Sequence, residues 1–179
     1  MTETPFVLID DNLGGRHLLF ERPKAVVACQ DPSGWAEAME RVSRGVDSGL
    51  HAAGFLSYEL GYALEPVLAP LMPKERQAPL PWFGLFEAPR RLGPDGMREW
   101  LGGEARPYAL SNLRPSIDEE RYGQDFRRVL SYIAAGDIYQ ANYTLRYRFD
   151  LEGDPLRLYA ELRRRQRHAH RVGSRRLHA

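Results

Sequence analysis

The stretch SIDEERYGQDFRRVLSYIAAGDIYQANYTLRYRF, Ser116 to Phe149, changes its hydrophobic period part-way along. Tyr122, Phe126, Val129, Leu130 and Ile133 fall at offsets 0, 4, 7, 8 and 11, the spacing of one helical stripe. Ser116-Ile117-Asp118-Glu119 ahead of them has the form of a capping box, and Gly136 supplies a stop. From Ile138 to Phe149 the period becomes two. Tyr139, Ala141, Tyr143, Leu145, Tyr147 and Phe149 share one face, and Gln140, Asn142, Thr144, Arg146 and Arg148 share the other, which predicts a strand. Gly153-Asp154-Pro155 then opens a second helix, with Asp154 as N-cap, Pro155 at the first helical position and Leu158, Tyr159 and Leu162 inward. A lone strand cannot bury its own apolar face, so at least one more is expected, and no convincing candidate follows Arg163.

Upstream, short apolar runs punctuated by Gly and Pro dominate: Pro5 to Ile9, Lys24 to Cys29, Ala53 to Tyr58, Trp82 to Glu87 and Met97 to Leu101. Each has strand length. A helix capped by Ser33 is predicted between the second and third, with Trp35, Met39, Val42 and Val46 as its apolar stripe. Prolines 66, 70, 73, 79 and 81 exclude a regular helix or central strand from Ala63 to Pro81, which reads as an ordered surface loop. Gly102 to Pro115 reads as a linker and marks a domain boundary.

Composition narrows the function classes. With 179 residues, 43% hydrophobic and 27% charged, the chain has the makings of a packed core. Six of its 25 basic residues are the arginines at 164, 165, 167, 171, 175 and 176, which leaves 19 against 24 acids in the rest. That acidic body offers no footprint for nucleic acid. Cys29 is the single cysteine, so no internal disulfide forms, and no apolar run approaches the roughly 20 residues of a membrane span. A cytoplasmic location is the expectation.

Gln140 and Asn142, about 7 Å apart on a stiff strand, would present amide donors and acceptors to a ligand, although any half-exposed strand has such a solvated face. His17 and His51 read as surface residues near turns, and Cys29 as a buried, inert thiol. The basic end admits a nucleic-acid tail or a metal site on His168, His170 and His178, with no support from the body for either.

Tyr132 to Thr144, YIAAGDIYQANYT, closely resembles the motif that opens the chorismate-binding domain of anthranilate synthase and aminodeoxychorismate synthase large subunits. Ala53 to Tyr62 (AGFLSYELGY), Glu65-Pro66 and Pro81 to Phe86 (PWFGLF) resemble the N-terminal domain of the aminodeoxychorismate branch. The resemblance covers residues 1 to about 165. It implies an α+β fold, a mostly antiparallel sheet with flanking helices, divided as 1–112 (N-terminal domain), 113–165 (the incomplete start of a chorismate-binding domain) and 166–179 (a basic tail, out of frame or disordered).

The resemblance further implies magnesium-assisted loss of the chorismate C4 hydroxyl and addition of ammonia from a glutamine amidotransferase partner, giving 4-amino-4-deoxychorismate for folate synthesis. Gln140 matches a position that is lysine in related water-using enzymes. It would therefore position substrate or nucleophile, with Asn142 and Thr144 binding substrate. The family's magnesium ligands and reactive lysine lie beyond the matching region, and the acids after Asn142 (Asp150, Glu152, Asp154, Glu161) form no metal motif. No metal is expected to bind this chain, which should be inactive alone. The readings left open are an anthranilate synthase relative, or a non-catalytic module that binds a small molecule or docks the glutaminase. A regulatory tryptophan site is also in question, because its Leu-Leu-Glu-Ser segment is matched by Leu8-Ile9-Asp10-Asp11 and lacks the serine.

Overall fold

The computed structural model describes residues 4–11, 14–102, 107–165 and 171–175, the last group in its backbone alone. The fold is α+β, with three antiparallel sheets and flanking helices. The chain divides into two compact units: residues 1–100 with 163–179, and residues 101–162.

In the first unit, β1 (Phe6–Asp11), β2 (Arg16–Glu21), β6 (Arg90–Leu92) and β9 (Arg171–Arg175) form one sheet in the order β6-β2-β1-β9. A second sheet has the order β3-β5-β4, from Ala25–Ala28, Pro81–Phe86 and His51–Leu56. Alternation fixes which side chains meet. Val7 and Phe20 of the first sheet pack with Ala53, Trp82 and Phe86 of the second, and Phe20 lies 5.4 Å from Phe86. Helix α1 (Trp35–Asp47) covers the second sheet through Ala38 and Val42 against Val27 and Leu85. Gly45 lets that helix approach closely, since a Cβ there would press into Leu85.

Three expectations for this unit change, and the proline-rich loop holds. Met97 to Leu101 is not a strand but part of α3 (Pro94–Gly102), where Met97 is fully buried and Trp100 meets Phe6 edge to face. A short apolar run fits a buried helix turn as well as a strand. Helix α1 is capped at Gly34 without a side chain, Asp31 instead accepts the Ser33 N–H, and the buried stripe is Ala38, Val42 and Gly45 rather than Trp35, Met39, Val42 and Val46. A strand does follow Arg163, because β9 pairs with β1 from Phe6↔Arg175 to Asp10↔Arg171. The proline-rich stretch has only the end of the five-residue α2 (Leu60–Leu64), a turn at Ala69–Leu71 and Pro81 at the first residue of β5, a position where a missing N–H is tolerated.

The second unit holds β7 (Tyr108–Pro115), α4 (Glu119–Ala135), β8 (Tyr147–Gly153) and most of α5 (Pro155–Arg165). The expected linker from Gly102 is in its latter half β7, an edge strand preceded by Pro107 and ending in Pro115. The expected strand Ile138 to Phe149 is shorter and later. Residues 138–146 form no helix or strand, and β8 begins at Tyr147 because β7 ends opposite it, at Pro115. Alternation in sequence makes no ladder without a partner strand. From 107 to 165 no residue is buried.

Candidate functional site

Helix α4 sets the geometry of the motif that follows it. Asp118 caps its start by accepting the Arg121 N–H at 2.7 Å. Gly136 ends it at φ 79°, with its own N–H on Ile133 and the Asp137 N–H on Tyr132. Left-handed backbone of this kind is open to glycine without strain. The chain then turns away and runs as an irregular segment to Arg146.

Two anchors hold that segment. The Tyr143 hydroxyl donates to Asp125 at 2.7 Å, Arg121 donates to the same carboxylate oxygen at 2.8 Å, and the Tyr143 ring lies 5.6 Å from Tyr122. Further on, the Ser116 N–H donates to the Arg146 carbonyl at 2.7 Å and the Ser116 hydroxyl accepts the Arg146 N–H at 3.1 Å. The Arg121 and Tyr143 hydrogen bonds hold the Asp125 carboxyl below its usual range, and the same carboxylate raises Tyr143 and Arg121 above theirs. Gln140 and Asn142 precede the Tyr143 anchor, Thr144 lies between it and Arg146, and all three are exposed. They share one segment, though not the stiff strand that the alternation predicts.

A second polar cluster lies in the first unit. Asp10 on β1 and His17 on β2 are register partners, and both are buried. His17 Nδ1 stands 2.7 Å from Asp10 Oδ1 without a well-directed hydrogen bond, while Arg163 Nε donates to Asp10 Oδ2 at 2.7 Å. Arg163 Nη2 also reaches His17 Nε2 at 3.4 Å. His17 is thus a core residue and not a surface one, which the alternating RHLLFE of β2 hinted at by pairing it with the buried Leu19 face. Asp10, from the segment matched to a tryptophan site, is occupied by these contacts. His51 is exposed at the start of β4, as expected. Cys29 is half-buried, with Sγ on the Asp31 carbonyl at 3.2 Å, rather than enclosed. His168, His170 and His178 lie outside the described residues.

Among the described residues no three His, Cys, Asp or Glu side chains converge as metal ligands. Asp150 accepts from Asn112, and Asp154 caps α5 by accepting the Leu156 N–H at 2.9 Å. No helix among the described residues is long and apolar enough to cross a membrane.

Residues 101–175 match the chorismate binding enzyme family. The matched stretch is 75 of the 179 residues. It contains the whole of α4, the anchored irregular segment with Gln140, Asn142 and Thr144, and β8. Aminodeoxychorismate synthase component 1 of Klebsiella aerogenes is 30% identical over 79 residues, a stretch that makes up 41% of this chain and 18% of that protein. The chain thus spans less than a fifth of the curated relative it matches.

Proposed function

We propose that the chain corresponds to the N-terminal portion of a protein like aminodeoxychorismate synthase component 1, whose full-length form replaces the C4 hydroxyl of chorismate with ammonia to give 4-amino-4-deoxychorismate for folate and para-aminobenzoate synthesis. The observation that carries the reading is the coincidence of the Tyr132–Thr144 motif with the family match over 101–175. Gln140 is the residue proposed to position chorismate or the incoming ammonia. Its neutral amide takes up no proton near pH 7, so it orients without competing for one. Asn142 and Thr144 are proposed to bind substrate on either side of the Tyr143 anchor.

Magnesium, a glutamine amidotransferase partner and a cytoplasmic setting belong to the same proposal, as attributes of the full-length protein. The chain alone is proposed to be inactive, since its chorismate-binding segment offers no converging carboxylates among the described residues. The Ser57-Tyr58-Glu59-Leu60-Gly61-Tyr62 segment favours the aminodeoxychorismate product over anthranilate.

Incubation of the purified chain with chorismate, magnesium and ammonium salts should yield no aminodeoxychorismate by chromatography. Measurable turnover would overturn the inactive reading. Thermal shift separates the rivals, because a ligand that binds the folded chain raises its melting temperature. A shift with tryptophan alone would favour a regulatory binding module instead.

A further inference from the structure

We propose that Asp10, His17 and Arg163 form a proton-operated latch: while His17 is neutral the three close on one another, and a proton taken up at His17 Nε2 releases Arg163. The geometry fixes where the neutral ring carries its proton. A guanidinium only donates, so Arg163 Nη2, 3.4 Å from His17 Nε2, requires a lone pair there. His17 Nδ1 lies 2.7 Å from Asp10 Oδ1, where a second lone pair would repel, so Nδ1 carries the hydrogen. That contact is short but poorly directed. One carboxylate, one guanidinium and one neutral imidazole thus share a site in which Asp10 and His17 are 0% and 1% exposed.

A proton on Nε2 sets donor against donor, between two cations. Asp10 already holds the Arg163 guanidinium at 2.7 Å, so the imidazolium brings a positive charge without an anion of its own. Protein interiors do not keep such a charge unpaired. Two arrangements give Asp10 a cation: Arg163 with a neutral His17, or a charged His17 with Arg163 released. Protonation exchanges the first for the second. Arg163 is the member that moves, because Asp10 and His17 are register partners pinned by the β1–β2 ladder. Arg163 is instead a long side chain in the last turn of α5, 14% exposed.

The neighbouring elements leave this exchange to the three residues. On β6 the register partner of His17 is Leu92, which is apolar and buried. Beside the pair on β1, the Asp11 carboxylate is engaged at the hairpin turn by the Gly14 N–H and by Arg16. On β9 the backbone of Arg171 is the other register partner of Asp10, which makes Arg171 the rival cation to test. The chain re-enters the first unit at Arg163, so the latch fastens the end of α5 to the β1–β2 hairpin at the point of return.

Imidazole nitrogen-15 and Arg163 Nε–H spectra of the full chain, recorded by NMR on acidification, test the latch. At neutral pH His17 should show a protonated Nδ1 and a bare Nε2. As Nε2 takes up its proton, protection of the Arg163 Nε–H relative to free arginine at the same pH should fall about tenfold or more, the factor for losing a hydrogen bond to a charged group. The Trp82 and Phe86 amides should stay protected through that step, since the core is not part of the latch. His17→Gln leaves a neutral side chain that accepts from Arg163 and cannot take up the proton, so Arg163 should stay protected over the same pH range. Arg171→Gln should leave the step as it is in the wild type. If His17→Gln fails to fold, the wild-type spectra decide alone. A proton on Nε2 at neutral pH, Arg163 protection unchanged across the His17 step, or loss of the core amides in that step would each overturn the proposal. So would a release that persists in His17→Gln or vanishes in Arg171→Gln.

Discussion

Phe86 and Phe126 are the same residue type on regular elements of the two units, yet Phe86 is 0% exposed and Phe126 43%. The contrast extends to whole elements. Every strand of the first unit's two packed sheets contributes a buried residue among those with described side chains, whereas α4, β7 and β8 contribute none. Secondary structure in the second unit rests on local devices: the Asp118 and Gly136 caps, the Arg121–Asp125–Tyr143 bonds and one antiparallel ladder. Such devices specify conformation at a few tenths to about 1 kcal/mol each, while burial of large side chains supplies the bulk of stability. A segment can therefore hold the shape of a family motif while lacking a core of its own.

Substitution of the two phenylalanines separates the units most directly. Phe86→Ala should cost about 3–5 kcal/mol and abolish the main denaturant transition of the first unit, whereas Phe126→Ala should cost about 1 kcal/mol or less. Equal losses in urea titration would mean that the second unit has a core after all. Next comes the charge contrast. Arg163→Ala leaves Asp10 buried without its guanidinium and should cost about 3 kcal/mol, read from the same titration. Arg121→Ala, whose guanidinium is exposed, should leave the transition in place.

The smallest expected effect is the pH response of the Tyr143 anchor. Asp125 has a folded-state pKa lowered by its bonds to Arg121 and Tyr143, so the anchor's stabilisation is fully present above the ordinary carboxylate range and is lost as pH falls through the depressed folded value. Tyr143 is raised, which favours its protonated hydroxyl and keeps the anchor through the ordinary tyrosine range until the pH rises past the folded value. The Tyr143 ring resonances in NMR spectra should therefore stay constant through the neutral range and change below about pH 4, near the unperturbed carboxylate value. Asp125→Asn should remove the acid change, and its persistence would assign the response to another group.

Legibility in the sequence followed the range of the interactions. Helix α4 was readable to within about two residues from the 3.6-residue stripe and Gly136, although its cap is Asp118 and not the expected Ser116–Glu119 box, since the Ser116 hydroxyl accepts from Arg146 instead. The strand after it was not, because alternation from Ile138 to Phe149 says nothing of where β7 would end. The partners of buried His17 were hidden for the same reason, since Asp10 lies across a hairpin and Arg163 is more than a hundred residues downstream. Of the site, the motif from Tyr132 to Thr144 was visible as a family resemblance. The Asp125–Tyr143 anchor that positions it was not, because it joins a helix face to an irregular segment 18 residues away.

The Asp10–Arg163 bond spans 153 residues, and that separation has a consequence for synthesis. At ribosomal rates of about 5–20 residues per second, the Asp10 carboxylate emerges roughly ten to thirty seconds before the guanidinium that neutralises it. During that interval β1 also lacks β9 on one edge. A nascent chain must therefore hold its first hairpin with a charge it cannot yet enclose, so the first unit reaches its final packing only after residues 101–162 have been made.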